Sequence, residues 1–314
     1  MRVVIAGGAG FIGTALAAGL RCRGADVVVL DSPRRLDRVR DLLAGIECHP
    51  FEFAAGDDAH PFLQSGDSLI HLACPTNPAT SMRSFARDAE SNILPSIRLF
   101  DAAADAGVRR VIFGSSGGTV YGSPRRLPVQ EHEMSTPLSA YGISKIAIEQ
   151  YLSLYRQFLP VSLRIGNPYG EYQLRGTAIG VIARYMRAAL DGDAIEVWGD
   201  GSVVRDYIDI DDVVSAFEFA LVTRDLPAGA YNIGSGVGTS VAQIIAIIAS
   251  LSDRPLEVRR LEARSYDVPS ITLDPARFMR ATGWAPKTGL VDGIGRMWRS
   301  ALGAADPASG DGVA

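Results

Sequence analysis

Gly7, Gly10 and Gly13 stand three residues apart, directly after the run over residues 2–6, which is apolar from Val3 onward. A short apolar run of this kind suits a strand buried on both faces of a parallel sheet. An amphipathic stretch to about Arg23 follows the glycines and reads as a helix. Glycines at this spacing permit a tight turn. They also let the backbone of Gly7, Gly10, Phe11, Ile12 and Gly13 approach a pyrophosphate seated on the helix N-terminus and its dipole. A glycine cluster carries that meaning between a strand and a helix, and this one lies there.

The second strand, Asp26–Leu30, ends at Asp31, about twenty residues past the glycines. A carboxylate at that point accepts both adenosine ribose hydroxyls and repels a 2′-phosphate, which favours NAD over NADP. Arg34 and Arg35 are expected to begin the next helix in solvent. A third strand is expected over Ile46–Phe53 and a fourth over Asp67–Ala73, where the close of the run at Leu72 and Ala73 suits passage of a cofactor. A long helix from about Arg83 to Gly107 contains Asn92 and Pro95, the latter a place for a kink. The fifth strand, Arg110–Phe113, leads into Ser115-Ser116-Gly117-Gly118-Thr119-Val120-Tyr121-Gly122, and a helix over about Ser139–Gln157 comes next.

Apolar strands alternating with helices predict an α/β fold, a doubly wound parallel sheet of Rossmann type. In such sheets ligands lie beyond the strand C-termini. The glycine turn, Asp31, His71–Cys74, Ser115–Thr119 and the start of the Ser139 helix all fall on that edge.

Tyr141 and Lys145 are four residues apart, on one face of that helix. A free tyrosine titrates near pH ~10, too high for a base at neutral pH. A nearby ammonium favours the phenolate, so the pair is expected to form an acid/base site.

The 314-residue chain is longer than most single cores and predicts two lobes. We expect an NAD-binding Rossmann domain over 1–168 with returning segments at about 205–235. A smaller α/β substrate-binding lobe over 169–204 and 236–303 would complete it, followed by a frayed tail over 304–314. A net charge of -4 argues against a nucleic-acid or membrane-surface partner. No apolar run is long enough to span a bilayer, and the first strand begins at once, leaving no room for a signal peptide. Three scattered cysteines (Cys22, Cys48, Cys74) suit a reducing, cytoplasmic setting. The four histidines show no metal-ligand spacing, so no metal site is expected.

In combination, Gly7-x-x-Gly10-x-x-Gly13, Ser115–Gly122, Tyr141-x-x-x-Lys145, Asn167-Pro168 and Arg205-Asp206-Tyr207 resemble the extended short-chain dehydrogenase/reductase family, and most closely its NAD-dependent nucleotide-sugar 4-epimerases. The resemblance runs to the Arg264/Asp267 region. It implies a tightly held NAD+, regenerated each turnover, and a UDP-hexose epimerised through a transient 4-keto sugar. Tyr141 would take the proton from the sugar 4-hydroxyl. Lys145 would bind the nicotinamide ribose and, with the positive nicotinamide, lower the tyrosine pKa. Leu72, Ala73, Asn92, Ser115 and Pro168 would line the cofactor site. Asn167, Trp198, Arg205, Arg264 and Asp267 would hold the nucleotide-sugar, the arginines through its pyrophosphate. A homodimer through the long helices is implied as well.

Three departures stand out. The family places Ser or Thr where this chain has Gly117, which leaves the sugar 4-hydroxyl to Thr119 or Ser116, with Thr119 preferred. The family's 4,6-dehydratases carry Asp and Glu where Gly118 and Thr119 stand, so the acid for water loss is missing. Thr76 replaces a lysine near the nicotinamide. Ile271 aligns with a position that sets the width of the sugar pocket. A reductase or another epimerase, acting on a keto or uronic acid nucleotide-sugar, is the alternative reading. It shares Tyr141 and Lys145.

Overall fold

The computed structural model describes residues 1–175, 180–263 and 268–305. Six strands come first: β1 (Arg2–Ala6), β2 (Asp26–Asp31), β3 (Glu47–Pro50), β4 (Ser68–His71), β5 (Arg110–Ser116) and β6 (Leu159–Ile165). After β7 (Asn167–Tyr169), β8 (Ile195–Trp198) and β9 (Val204–Asp209), β10 (Gly229–Ile233) rejoins them. The seven-stranded sheet has the order β10–β6–β5–β4–β1–β2–β3, with every pairing parallel.

Alternation along β1 explains why the run must be apolar throughout. Val3 and Ile5 pack into one core with Leu16, Leu20 and Phe217, while Val4 and Ala6 pack into another with Leu99, Phe100 and Phe113. Each fully buried valine or isoleucine contributes about 1.5–3 kcal/mol, so β1 holds helices on both faces. Strand order reverses at β1, and the crevice at such a reversal is where these sheets bind ligands.

The glycine turn is set by close approach. Gly7 has φ +85°, and a β-carbon there would strike the backbone of Leu72 and Ala73 after β4. One at Gly13 would strike Gly7 O. The Phe11–Cys22 helix therefore starts tight against the strand ends.

The expected elements form with small shifts. β3 covers only Glu47–Pro50, and β5 extends to Ser116 because all its residues from Arg110 pair with β6. The long helix spans Phe85–Asp105 with Pro95 buried inside it. The tyrosine helix spans Ala140–Leu152, its first turn capped by Ser139, whose hydroxyl accepts from Gly142 N.

β7 pairs with β9, and β9 with β11 (Gly238–Ser240); β8 pairs with β12 (Val258–Leu261). Over them lies a separate core of Tyr185, Met186, Val197, Ile244, Ile248, Ile294 and Trp298. Phe278 and Trp284 leave that core and stack edge-on beside Tyr231 of β10. No helix of the described residues is long and apolar enough to cross a membrane. Among those residues no group of three or more His, Cys, Asp or Glu could hold a metal ion.

Candidate active site

Two recesses open along the C-terminal edge of the large sheet. The first, about 370 Å³, is lined by Ala9, Gly10, Phe11 and Thr14, by Arg35 and Arg38, and by Cys74–Asn77 and Tyr172. It lies over the start of the Phe11–Cys22 helix, whose N-cap Gly10 offers no side-chain cap and whose first turn has no acidic residue. Such an end suits an anion. Asp31, buried at the end of β2, accepts Ala9 N at 2.9 Å and Ser32 N at 2.8 Å. Each carboxylate oxygen keeps a lone pair for a further donor. Burial raises the Asp31 pKa, while Arg35 and the two N–H donors pull it back. Turn, uncapped helix end and carboxylate together fit an adenine dinucleotide. Arg35 does not simply face solvent as expected: its guanidinium lines this groove 3.9 Å from Asp31.

The second recess, about 350 Å³, is floored by Ser116, Gly118, Thr119 and Tyr141. Asn167, Pro168, Tyr169, Gln173, Arg205 and Tyr207 form a polar wall, and Leu138, Val181, Ile182 and Val268 an apolar one. Arg205 donates to Val204 O and Val268 O, while its neighbour Asp206 turns inward to accept Ser235, Gly236 and Leu273 N–H groups. Asp206 is therefore a backbone clamp, and Arg205 faces the cleft.

Tyr141 lines the second recess. Ser116, at the end of β5, lines the same floor and draws the Tyr141 phenol toward the ionised form. Lys145 Nζ lies 5.5 Å from the Tyr141 ring centre and 4.6 Å from that of Phe113, and donates to Gly114 O at 2.9 Å. The expected lowering of the tyrosine pKa is not met by the protein alone. Burial pushes the phenol well up, Cys74 and Asp88 push the same way, and Ser116 only partly offsets them. His71, beside Lys145, has its pKa driven well below the usual value, chiefly by burial and secondarily by the lysine. It adds no positive charge.

Gly117 explains itself. A β-carbon there would sit 2.5 Å from Leu273 Cδ1 and 3.0 Å from Arg164 O, so its side-chain direction points into protein, away from the cleft. On the floor beside Tyr141 the cleft has the hydroxyl residues Ser116 and Thr119. Thr119 Oγ1 is buried with no hydrogen-bond partner among the described residues.

Other expected site residues divide. Gly7, Gly10, Gly13, Phe11 and Ile12 form the turn and helix start; Asn167 and Pro168 line the cleft. Leu72 packs over Gly114, and Ala73 against Gly7, so both support the turn from behind. Ser115 turns away from the cleft and donates to Glu149. Asn92 donates to Thr76 Oγ1 and Asp88 O. Trp198 lies on β8, outside the described lining of the cleft. Ile271 is buried with Val120, Val129 and Leu273, outside the described lining of the cleft. Arg264 and Asp267 lie outside the described residues, as does most of the expected tail. Gln173 escaped the sequence reading: it is buried in the cleft wall, donates to Pro168 O at 3.3 Å, and leaves Oε1 without a partner among the described residues. A lone glutamine after a Pro-Tyr-Gly turn carries no signal in sequence.

Comparison with known proteins agrees with this geometry. The model of the NAD dependent epimerase/dehydratase family matches residues 3–234. A UDP-glucose 4-epimerase of Mycolicibacterium smegmatis is 34% identical over 308 residues, 94% of this chain and 97% of the relative. A dTDP-4-dehydro-6-deoxyglucose reductase of Escherichia coli is 31% identical, covering 95% of this chain and 96% of the relative. The crystal structure of a Thermus thermophilus UDP-glucose 4-epimerase in complex with NAD superposes with a TM-score of 0.87 at 31% identity, covering 97% of this chain and all of that one. With the glycine turn, the Ser116–Tyr141–Lys145 group and the two recesses already in place, the chain belongs to the NAD-dependent epimerase/dehydratase family.

Proposed function

We propose that the protein is an NAD-dependent UDP-hexose 4-epimerase. The observation that carries this reading is the position of Tyr141, on the floor of the polar cleft beside Ser116 and Thr119, one helix turn from Lys145 and next to the groove formed by the glycine turn and the loop after β4. NAD+ bound in the groove supplies a reversible hydride acceptor. The chain's own residues do the rest. Tyr141 exchanges the proton of the sugar 4-hydroxyl, and Ser116 and Thr119 hold that oxygen. Lys145, anchored on Gly114 O and 5.5 Å from the Tyr141 ring centre, would hold the nicotinamide ribose. Asn167 and Arg205 hold the nucleotide-sugar from the opposite wall, the guanidinium forking to pyrophosphate. Glycine and threonine at 118 and 119 leave no acid there to expel water, which favours epimerisation over dehydration.

The same reading assigns residues 1–168 and about 205–235 to the NAD-binding lobe, and 169–204 with 236–303 to the substrate lobe. It also pairs two copies through the Phe85–Asp105 and Ala140–Leu152 helices. Phe85, Leu94, Ile143 and Tyr151 are exposed on those helices, and a homodimer in the cytoplasm would bury them.

The test is to incubate purified protein, without added cofactor, with UDP-glucose, UDP-N-acetylglucosamine or UDP-glucuronate and to follow the anomeric and H4 signals by NMR. Appearance of a 4-epimer is the expected result. Silence with all three, reversed only by stoichiometric NAD(P)H and a keto sugar, replaces the reading with a reductase, the activity of one 31%-identical relative.

A further inference from the structure

Asp88 is one of the most deeply buried carboxylates in the protein, at 1% exposure, and no cation lies within ion-pair distance of it among the described residues. Its three side-chain donors are neutral and come from three segments. Ser144 of the tyrosine helix donates to Oδ2 at 2.6 Å. Thr76, in the loop after β4, donates to Oδ1 at 2.5 Å. Asn92, one turn along the carboxylate's own helix, donates to Oδ1 at 3.2 Å and to Thr76 Oγ1 at 2.9 Å. Cys74 extends the chain by donating to Asn92 Oδ1 at 3.1 Å.

Burying a charge this way is costly unless each lone pair is used, and a neutral residue would tie the segments at less cost. The placement points to a use for the charge. Ser144 follows Tyr141 by three residues on one helix, so the tether holds the turn that carries the phenol. Thr76 and Cys74 line the cofactor groove, so the same carboxylate fixes the loop on the groove side.

We infer that Asp88 is a positioning residue: it ties the tyrosine helix to the loop after β4 and supplies the fixed negative charge against which Tyr141 gives and takes its proton. The inference rests on Tyr141 being the acid/base group. The titratable and charged groups facing Tyr141 are Cys74 from the loop after β4, Asp88 from the Phe85–Asp105 helix and Lys145 from its own helix, with neutral His71 behind the lysine. Cys74 and Asp88 both disfavour the phenolate.

The experiment compares the parent protein, Asp88→Asn, Ser144→Ala and Tyr141→Phe, all loaded with NAD+. Ultraviolet difference titration, with Tyr141→Phe subtracted, follows the one phenol without any substrate. Asp88→Asn keeps the shape and removes the charge, with its carbonyl oxygen accepting from Thr76 and Asn92 and its amide donating to a Ser144 hydroxyl that rotates to accept. It is expected to move the Tyr141 midpoint to lower pH, so that on the rising limb the ionised fraction grows at least about twofold. A purely structural role would alter the melting temperature and leave the midpoint in place. That result overturns the inference. Ser144→Ala removes one hydroxyl, and is expected to lower kcat about tenfold on UDP-glucose with KM unchanged; an unchanged kcat removes the tether. This variant keeps the inference testable should Asp88→Asn not fold. Full turnover in Tyr141→Phe would instead remove the reading of Tyr141 itself, an outcome distinct from either.

Discussion

Leu273 Cδ1 occupies the space that a side chain at Gly117 would need, 2.5 Å from the position of its β-carbon. Leu273 is fully buried with Val120, Tyr121 and Val129, so it has little room to withdraw. Gly117→Ser is therefore expected to overpack this cluster, costing about 1–3 kcal/mol. It would add no hydroxyl to the cleft. A lower midpoint in urea unfolding with no gain in kcat is the expected pair of results. A Gly117→Ser protein with raised kcat and parental stability would show that the side chain reaches the cleft after all.

Ser116 and Thr119 hold different relations to Tyr141, and kinetics separates them. The Ser116 hydroxyl favours the phenolate of Tyr141, so Ser116→Ala is expected to reduce kcat about 100-fold, with NAD content intact. Thr119 Oγ1 has no partner among the described residues, so it is left to act on a ligand. Thr119→Val keeps the shape and is expected to cost about tenfold in kcat/KM without altering the pH dependence. Equal losses from the two variants, with one common pH profile, would contradict this division.

Buried tyrosines set the alkaline limit of stability. Tyr121 donates to Asn232 Oδ1 at 2.6 Å and accepts from Arg164 at 2.9 Å. Burial is the main reason its pKa is pushed up to about 12 from the ordinary 10, with the Arg164 charge and hydrogen bond opposing. A folded-state value above the unfolded one means stabilisation that is complete below pH 10 and lost as pH rises through about 12. The two-unit difference corresponds to about 2–3 kcal/mol. Tyr169 and Tyr207 shift in the same direction, again through burial. Unfolding free energy measured in urea is expected to be level to about pH 10 and to fall steeply above it. In Tyr121→Phe the slope should be shallower. An equal slope in that variant would assign the alkaline loss to other groups.

The parts legible in sequence are those whose meaning is local. Gly7, Gly10 and Gly13 speak through spacing between a strand and a helix, and Asp31 through its distance from them; all four stand where expected. Tyr141 and Lys145 share a helix face, which fixes their proximity before any tertiary contact forms. The misplaced or missing residues depend on segments remote in the chain. Leu273 blocks Gly117 across 156 positions, and Ser144 meets Asp88 across 56. Ser115 and Ser116 are adjacent, yet strand alternation sends one to Glu149 and the other to the cleft. Proximity alone predicts that Lys145 lowers the phenol pKa. Burial outweighs it, and burial is not readable from two residues on one helix.

Glu149 continues the face of Tyr141 and Lys145 by one more turn and meets Arg164 of β6 at 2.7 Å, both side chains at 7% exposure or less. Arg164 Nε and Nη2 both bond the carboxylate, and Nη1 reaches Tyr121 OH and Glu131 O. Glu149 also accepts from Ser115, the residue before Ser116, so the pair braces both the tyrosine helix and the end of β5. Removing one partner leaves the other charge buried and alone, which costs about 3–5 kcal/mol. Removing both with residues of similar volume takes away that penalty. Glu149→Leu and Arg164→Met are each expected to lose about 3–5 kcal/mol in urea unfolding, and the double variant to lose less than either. In the double variant the melting curve should recover while kcat stays low, because the apolar pair no longer orients Ser115 beside the catalytic serine. Losses that simply add would mean that the two side chains act independently. Recovery of kcat together with stability would confine the pair to holding the fold.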